Sequence, residues 1–285
     1  MKIDKVIWSA TEQYSDFWDI NSKIHNKFLD MDCVLLLYGK KENCDLSEEH
    51  GEIVEIDYIE GYPTTVQFVL NKFHYTRNEP DTTWMIGDID QIPLQRQHFI
   101  DNLTDVPDDH YVHLAENHIE QLSRVPTGTW RKEGSVADRC YLTAHYHAAK
   151  GSTFTKALDL NLSLETHIIA LLDQWRSHRK KIRASYAELQ DQRHWGETET
   201  KRHGLWAWEE IYTTSLIHKN YVDKFTGFER SIRDPQRRCI DRGVDNCKFD
   251  PNKKELYVDI HCPVPYAEHK DFIHDILHFF WRDLS

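Results

Sequence analysis

The stretch Thr82 to Leu94, TTWMIGDIDQIPL, constrains this chain more than any other. Thr82 to Ile86 is rich in β-branched and aromatic residues and reads as a short buried strand. It runs into Gly87 and stops on two carboxylates, Asp88 and Asp90, split by one apolar residue. Ile92-Pro93-Leu94 follows, and proline has no N–H to give to the ladder of a central strand. A strand ending this way leaves an anionic notch at the carboxyl edge of a sheet, where ligands sit in open α/β folds. Two carboxylates in such a notch repel each other and are poorly solvated. A hard divalent cation, Mn²⁺ or Mg²⁺, relieves both costs and keeps coordination positions open for phosphates. The plain alternative is a solvated acidic turn.

The flanking sequence supplies the rest of a sheet. Ile3 to Trp8 reads as a first strand, ending at the small polar run Ser9-Ala10-Thr11. Ser15 is placed to cap a helix carrying Phe17, Ile20, Ile24 and Phe28 on one face. Cys33 to Tyr38 and Ile53 to Ile56 read as two more strands. A helix after Gly61 buries Val66, Val69, Leu70 and Phe73, which leaves Gln67 and Lys72 off the buried stripe. This alternation predicts an α/β fold with a mainly parallel sheet flanked by helices. Further on, Gln95 to Asn102 reads as helix, and Tyr111 to Ala115 and Arg139 to Ala148 as strands. Helical additions are expected over Leu164 to Leu189, Ala207 to Ile217 and Asp271 to Leu284, the last with Phe272, Ile276 and Phe279 on its stripe. Pro126 to Gly134 reads as a loop, Tyr221 to Asn252 as charged and turn-rich, and Leu256 to Ile260 as a late strand ending at His261.

A formal net charge of −12 argues against general nucleic-acid binding and against docking on anionic membrane by charge. The six cysteines show no C-x-x-C pair and no zinc spacing, which suits reduced thiols in a cytoplasmic protein. The start, MKIDKVIW, is no signal peptide, and no apolar run approaches the roughly 18 residues of a membrane span.

Other residues are candidates for chemistry. Glu209 and Glu210 open a helix after Trp206-Ala-Trp208, a pair of carboxyls beside aromatic rings that are candidates for proton transfer to or from a ligand. Acids in a first helical turn also suit the helix dipole. Glu197 and Glu199 are second choices. His145 and His147 alternate on an expected strand, so one of them faces a cleft, where with Lys150 it could bind an anionic or hydroxyl-bearing ligand. The basic run Arg176 to Arg183 and the helical pair His274 and His278 read as surface or packing features. Asp30-Met-Asp32 superficially matches the acids of haloacid-dehalogenase-type phosphatases, but those need a strand before the acids, and here an amphipathic helix precedes them. A sugar nucleotidyltransferase would want a Gly-rich phosphate loop, and no such spacing exists.

Pro63-Thr-Thr-Val-Gln67…Lys72, followed by Trp84-Met-Ile-Gly-Asp88-Ile-Asp90-Gln-Ile-Pro93-Leu94, resembles the GT-A class of nucleotide-sugar-dependent glycosyltransferases. Val258-Asp-Ile-His261 resembles the strand-end histidine that serves as a metal ligand in many of them. The likeness extends loosely to small transferase domains of algal viruses and bacterial surface-polysaccharide transferases. It implies one GT-A-like domain over 1–285, with 1–102 as nucleotide half and 103–285 as acceptor half. It implies a metal site of Asp88, Asp90 and His261 holding Mn²⁺ or Mg²⁺, with Asp88 also near the donor ribose. Ser9, Ala10, Thr11, Gln67, Lys72 and Ile89 would line the donor, and His145 or His147 with Lys150 would bind acceptor or diphosphate. The partners implied are a nucleotide-sugar donor, UDP-linked by preference, and a saccharide or other hydroxyl acceptor. The rival from another class is a non-catalytic nucleotide-sugar-binding module on the same scaffold.

Overall fold

The computed structural model describes residues 1–116, 142–174, 210, 212–229, 238–241 and 249–281. The apolar runs of the amino-terminal third become four neighbouring parallel strands: β1 (Lys5–Thr11), β2 (Asp32–Tyr38), β3 (Glu52–Ile56) and β4 (Thr83–Ile86). Three later strands, β6 (Tyr111–Glu116), β7 (His147–Lys150) and β8 (Phe225–Glu229), complete a seven-stranded sheet of order β3-β2-β1-β4-β7-β6-β8. Only β7 runs against the others, since it pairs antiparallel with both β4 and β6 while β6 and β8 are parallel. The expected mainly parallel α/β sheet is therefore observed, and both halves of the chain contribute to it.

Near-continuous apolar strands mean burial on both faces, and period two sorts their side chains between them. Val6, Trp8, Leu35, Leu37 and Met85 face one core, shared with Ile20 and Ile24 of α1 (Trp18–Leu29). Ile273, Ile276, Leu277 and Phe280 of α5 (Tyr266–Phe280) join that core. Ile7, Val34, Leu36, Trp84 and Ile86 face the other, against Val69 and Phe73 of α2 (Thr64–Tyr75) and Phe154 and Ala157 of α4 (Gly151–Leu158). The short helix α3 is Arg96–Phe99. Helical residues 164–174 and 212–221 lie beyond α2, where Ile168, Leu171 and Tyr212 meet Val66 and Leu70. So α2 is packed on two sides.

A second, three-stranded sheet, of order β5-β10-β9, joins β5 (Gln91–Pro93) to β10 (Tyr257–His261) and β9 (Arg238–Asp241). Pro93 is accommodated because β5 is an edge strand. The strands β8 and β9 fall in the stretch Tyr221 to Asn252, expected to be charged and turn-rich. Ser15 does not cap α1; its hydroxyl donates to the Glu12 carbonyl inside a preceding 3-10 turn, Glu12–Phe17. The stripe expected on the last helix is rotated: Phe272 and Phe279 are exposed, and Ile273 and Leu277 are buried. No helix among the described residues is long and apolar enough to cross a membrane.

Candidate functional site

From β1 the chain moves outward through β2 to β3, then returns across β1 to β4. That reversal makes the gap between the carboxyl ends of β1 and β4 the switch point, where open α/β sheets leave a crevice. The two strands pair only from Lys5 to Ile7 on β1, and the Gly87 amide closes the ladder on the Ile7 carbonyl at 2.9 Å. Gly87 is required there, since a Cβ would stand 2.4 Å from the Trp8 indole nitrogen. Beyond this point β1 continues beside β2 to Thr11, while the chain leaving β4 turns away at Asp88. Ser9 to Thr11 thus form one bank of the crevice and Asp88 to Gln91 the other.

Asp88 keeps 28% of its side-chain surface exposed. Its Oδ1 accepts from the Lys72 ammonium at 2.8 Å, and the same ammonium donates to the Gly87 carbonyl at 2.8 Å. Its Oδ2 lies 3.5 Å from His145 Nδ1. Burial alone would raise the Asp88 pKa, but Lys72 and then His145 outweigh it and hold the carboxyl well below the usual range. Asp88 is a fixed anion. Lys72 was expected off the buried stripe, yet it is buried, because its stem runs in to the end of β4 and its ammonium is held there by the Gly87 carbonyl and Asp88.

Asp90 is brought to His261 by the second sheet. Gln91 of β5 pairs with His261 of β10, and the Cys262 amide donates to the Asp90 carbonyl at 2.7 Å. Asp90 Oδ2 and His261 Nε2 stand 3.6 Å apart, although the two residues are 171 positions apart in the sequence. Among the described residues no group of three His, Cys, Asp or Glu is arranged to hold a metal ion. The pair nevertheless fits a divalent ion that takes one or two protein ligands. Neighbouring ligands of an octahedral ion at about 2.1 Å are about 3 Å apart, so a side-chain movement of under about 1 Å suffices.

His145 and His147 divide as expected, one toward the crevice and one away, but not through strand alternation. The strand begins only at His147, and Tyr146 sits at φ 61°, a left-handed conformation uncommon for a large residue. That turn lets His145 face Asp88 and Gln91, with Gln91 Nε2 at 3.2 Å from Nδ1. His147 is buried between the Tyr111 hydroxyl at 2.9 Å and the Thr143 carbonyl at 2.6 Å. Glu210 is 5% exposed, and its Oε1 accepts from the Ala144 amide at 3.0 Å, two residues before Tyr146. Burial pushes its carboxyl up to about 8; the Ala144 N–H opposes this and the Asp88 charge adds to it.

Several expected site residues are placed elsewhere. Gln67 is buried, and all its side-chain hydrogens and its oxygen are spent on residues 59–62: Nε2 on the Ile59 and Tyr62 carbonyls, Oε1 on the Ile59 amide. Lys150 pairs with Thr83 at the amino end of β4, the opposite edge of the sheet from Asp88, and faces Asp108 at 3.7 Å. The cause is the reversed direction of β7. Ala10 and Ile89 bury their side chains in the core, so only their backbones reach the crevice. Ser9 and Thr11 remain on the bank, inside β1 rather than after it, and Ser9 Oγ is buried with no partner among the described residues. Asp30 and Asp32 flank the amino end of β2, both exposed, Asp30 beside Lys2 at 3.1 Å. That edge is the wrong one for a phosphatase nucleophile. Glu197, Glu199, Glu209, Trp206, Trp208, the run Arg176 to Arg183 and the loop Pro126 to Gly134 lie outside the described residues.

Sequence reasoning missed Asn21. It is wholly buried on α1, and its Nδ2 donates to the Ile89 carbonyl at 2.9 Å and the Gln91 carbonyl at 3.1 Å. Its Oδ1 has no partner among the described residues, a deficit that costs about 1–3 kcal/mol. The signal was present in the sequence: Trp18, Asn21, Ser22 and His25 repeat at helical spacing and form a buried, partly polar face. A surface hollow between α1 and residues 47–50, with Asp19, Lys23 and His50 among its lining, shares no residue with the crevice.

No protein-family model matches the chain, and no curated protein matches it. Among solved structures it is similar to the apo form of the glycosyltransferase GlyE of Streptococcus pneumoniae TIGR4, with a TM-score of 0.37 and 11% identity. The match covers 96% of this chain and 50% of that one, so the chain spans about half the length of that protein.

Proposed function

We propose that this chain is a metal-dependent glycosyltransferase of the GT-A type, moving a sugar from a nucleotide diphosphate sugar to a hydroxyl acceptor. The observation that carries this reading is the convergence, at the switch point of the sheet, of an anion fixed by Lys72 with a second carboxylate facing His261. Asp90 and His261 would hold the cation. Asp88, already neutralised by Lys72, is oriented to accept a hydrogen bond from a donor hydroxyl. Ser9 and Thr11, with the backbone of Ala10, form the opposite wall for the nucleotide. When bound, the divalent ion supplies Lewis-acid stabilisation of the diphosphate leaving group. Glu210 is the described carboxyl suited to exchange a proton with an acceptor, because it is buried beside the turn that carries His145. UDP is preferred as the donor nucleotide only because it is the commonest in the class.

The test is a thermal-shift panel of nucleotide sugars with and without Mn²⁺, on the wild type and on Asp90→Ala. A donor at 100 times its Kd stabilises the folded state by about 2.7 kcal/mol. The expected result is stabilisation by one donor that needs Mn²⁺ and disappears in Asp90→Ala. Donor binding indifferent to both Mn²⁺ and Asp90 rejects the reading. Mn²⁺-dependent binding with no hydrolysis or transfer by the wild type favours a binding module instead.

A further inference from the structure

We infer that Asn21 is a positioning residue of the crevice, fixing the turn that aims Asp90 at His261; this rests on the metal-dependent reading above. Asp88 to Gln91 is a tight turn, closed by the Gln91 amide on the Asp88 carbonyl at 3.0 Å. Such a turn leaves the next carbonyls pointing outward, where they need donors. Asn21 meets the two that flank Asp90, spending both amide hydrogens on the oxygens of Ile89 and Gln91. The carbonyl of Asp90 itself is taken from the other side by the Cys262 amide, next to His261. Three successive carbonyls are thus held from α1 and from the end of β10, which fixes the backbone carrying Asp90 relative to His261.

The residue type follows from this geometry. Two carbonyls facing one side chain need a fork of two N–H donors, which an uncharged primary amide supplies at this reach. Aspartate would set acceptors against acceptors. Serine has a single hydrogen to give. Of the side-chain amide, the two hydrogens are the part engaged, while Oδ1 has no partner among the described residues. The helix itself gains nothing from Asn at this place, since asparagine is a poor helix former.

The experiment compares wild type, Asn21→Ala, Asn21→Asp and Arg77→Ala. Arg77 clips α2 to the Leu160 carbonyl and contacts none of the crevice residues named above, so it reports on stability lost elsewhere. Binding of Mn²⁺ alone and of Mn²⁺ with UDP, GDP, CDP or ADP is measured on the folded proteins by Mn²⁺ electron paramagnetic resonance. Amide hydrogen exchange over residues 88–92 is measured without metal. The expected result is at least tenfold weaker Mn²⁺ binding in both Asn21 variants, faster exchange confined to the turn, and unchanged Mn²⁺ binding in Arg77→Ala. Folded Asn21→Ala that binds Mn²⁺ as wild type does, with turn exchange unchanged, overturns the inference. If the wild type binds no Mn²⁺ under any condition, the metal-dependent reading fails instead, and exchange at the turn still decides whether Asn21 holds it. Should Asn21→Ala not fold, Asn21→Asp decides: wild-type Mn²⁺ affinity in that variant also overturns the inference.

Discussion

At the scale of residues, the crevice depends on one buried cation. The Lys72 side chain is 3% exposed and the Asp88 side chain 28%, so the pair is lopsided: the lysine has left water and the carboxylate only in part. Removing one partner of a buried pair strands the other, whereas removing both is mild. Lys72→Met is therefore expected to cost about 2–3 kcal/mol, discounted from the fully buried case because Asp88 retains solvent. Adding Asp88→Asn should restore more than about 1 kcal/mol of that loss in denaturant titrations. A strictly additive double variant would mean that the two groups are not coupled. Glu210→Gln keeps an oxygen for the Ala144 amide while removing the transferable proton. Transfer should fall by about 10²-fold or more with donor affinity held. Full activity would take Glu210 out of the chemistry.

At the scale of elements, what could be read depended on whether an element's partners lie close in sequence or far. The strands β1 to β4 were legible because each is a short apolar run bounded by polar residues or glycine. Asp88, Asp90 and His261 were legible because strand ends carry them. Gln67 and Lys72 were misplaced because a helical period reveals one buried stripe. Polar partners beyond the helix bury both: Gln67 is taken by the backbone of residues 59–62, and Lys72 by the Gly87 carbonyl and Asp88 at the end of β4. Lys150 was misplaced because sequence does not state strand direction: read parallel, β7 would carry it toward the crevice, and read as it is, β7 carries it away. The exposed faces of Phe272 and Phe279 show the same limit, since either rotation of α5 offers a stripe of large apolar residues. Packing under the second sheet chose Ile273, Ile276, Leu277 and Phe280.

At the scale of the whole molecule, buried histidines set the acid limit. Burial lowers His25 to about 4, although Nδ1 donates to the Asn21 carbonyl, and lowers His74 and His147 to about 3. In the unfolded chain each takes a proton near 6.5, so below that pH the unfolded state binds more protons and stability falls. The contribution is complete above about 6.5 and lost as pH drops toward 4 and 3, at up to about 1.4 kcal/mol per pH unit per histidine. The raised Glu210 works oppositely: its contribution is complete below its unfolded value and lost as pH rises toward about 8. Among the described residues these three histidines, joined by His167 and His274, which burial also lowers, outweigh the one raised glutamate, giving a net loss from pH 6.5 downward and a shallow decline above it. Unfolding free energies from pH 4.5 to 8 should show a maximum near 6.5 to 7. His74→Leu should flatten the acid limb by one histidine's share, since neither ring nitrogen of His74 has a partner among the described residues. An acid limb of unchanged slope in that variant would exclude His74 as a contributor.

The sequence by itself determined the alternation of strand and helix and the acids at the end of β4, because both are local: they follow from period, branching and the missing proline N–H. Only the tertiary structure decided that Asp90 meets His261, that Lys72 turns inward and Lys150 outward, and that Asn21 lies beneath the turn. Each of those depends on which elements pack together and in which direction. That is fixed by burial summed over distant residues, and no single segment encodes it.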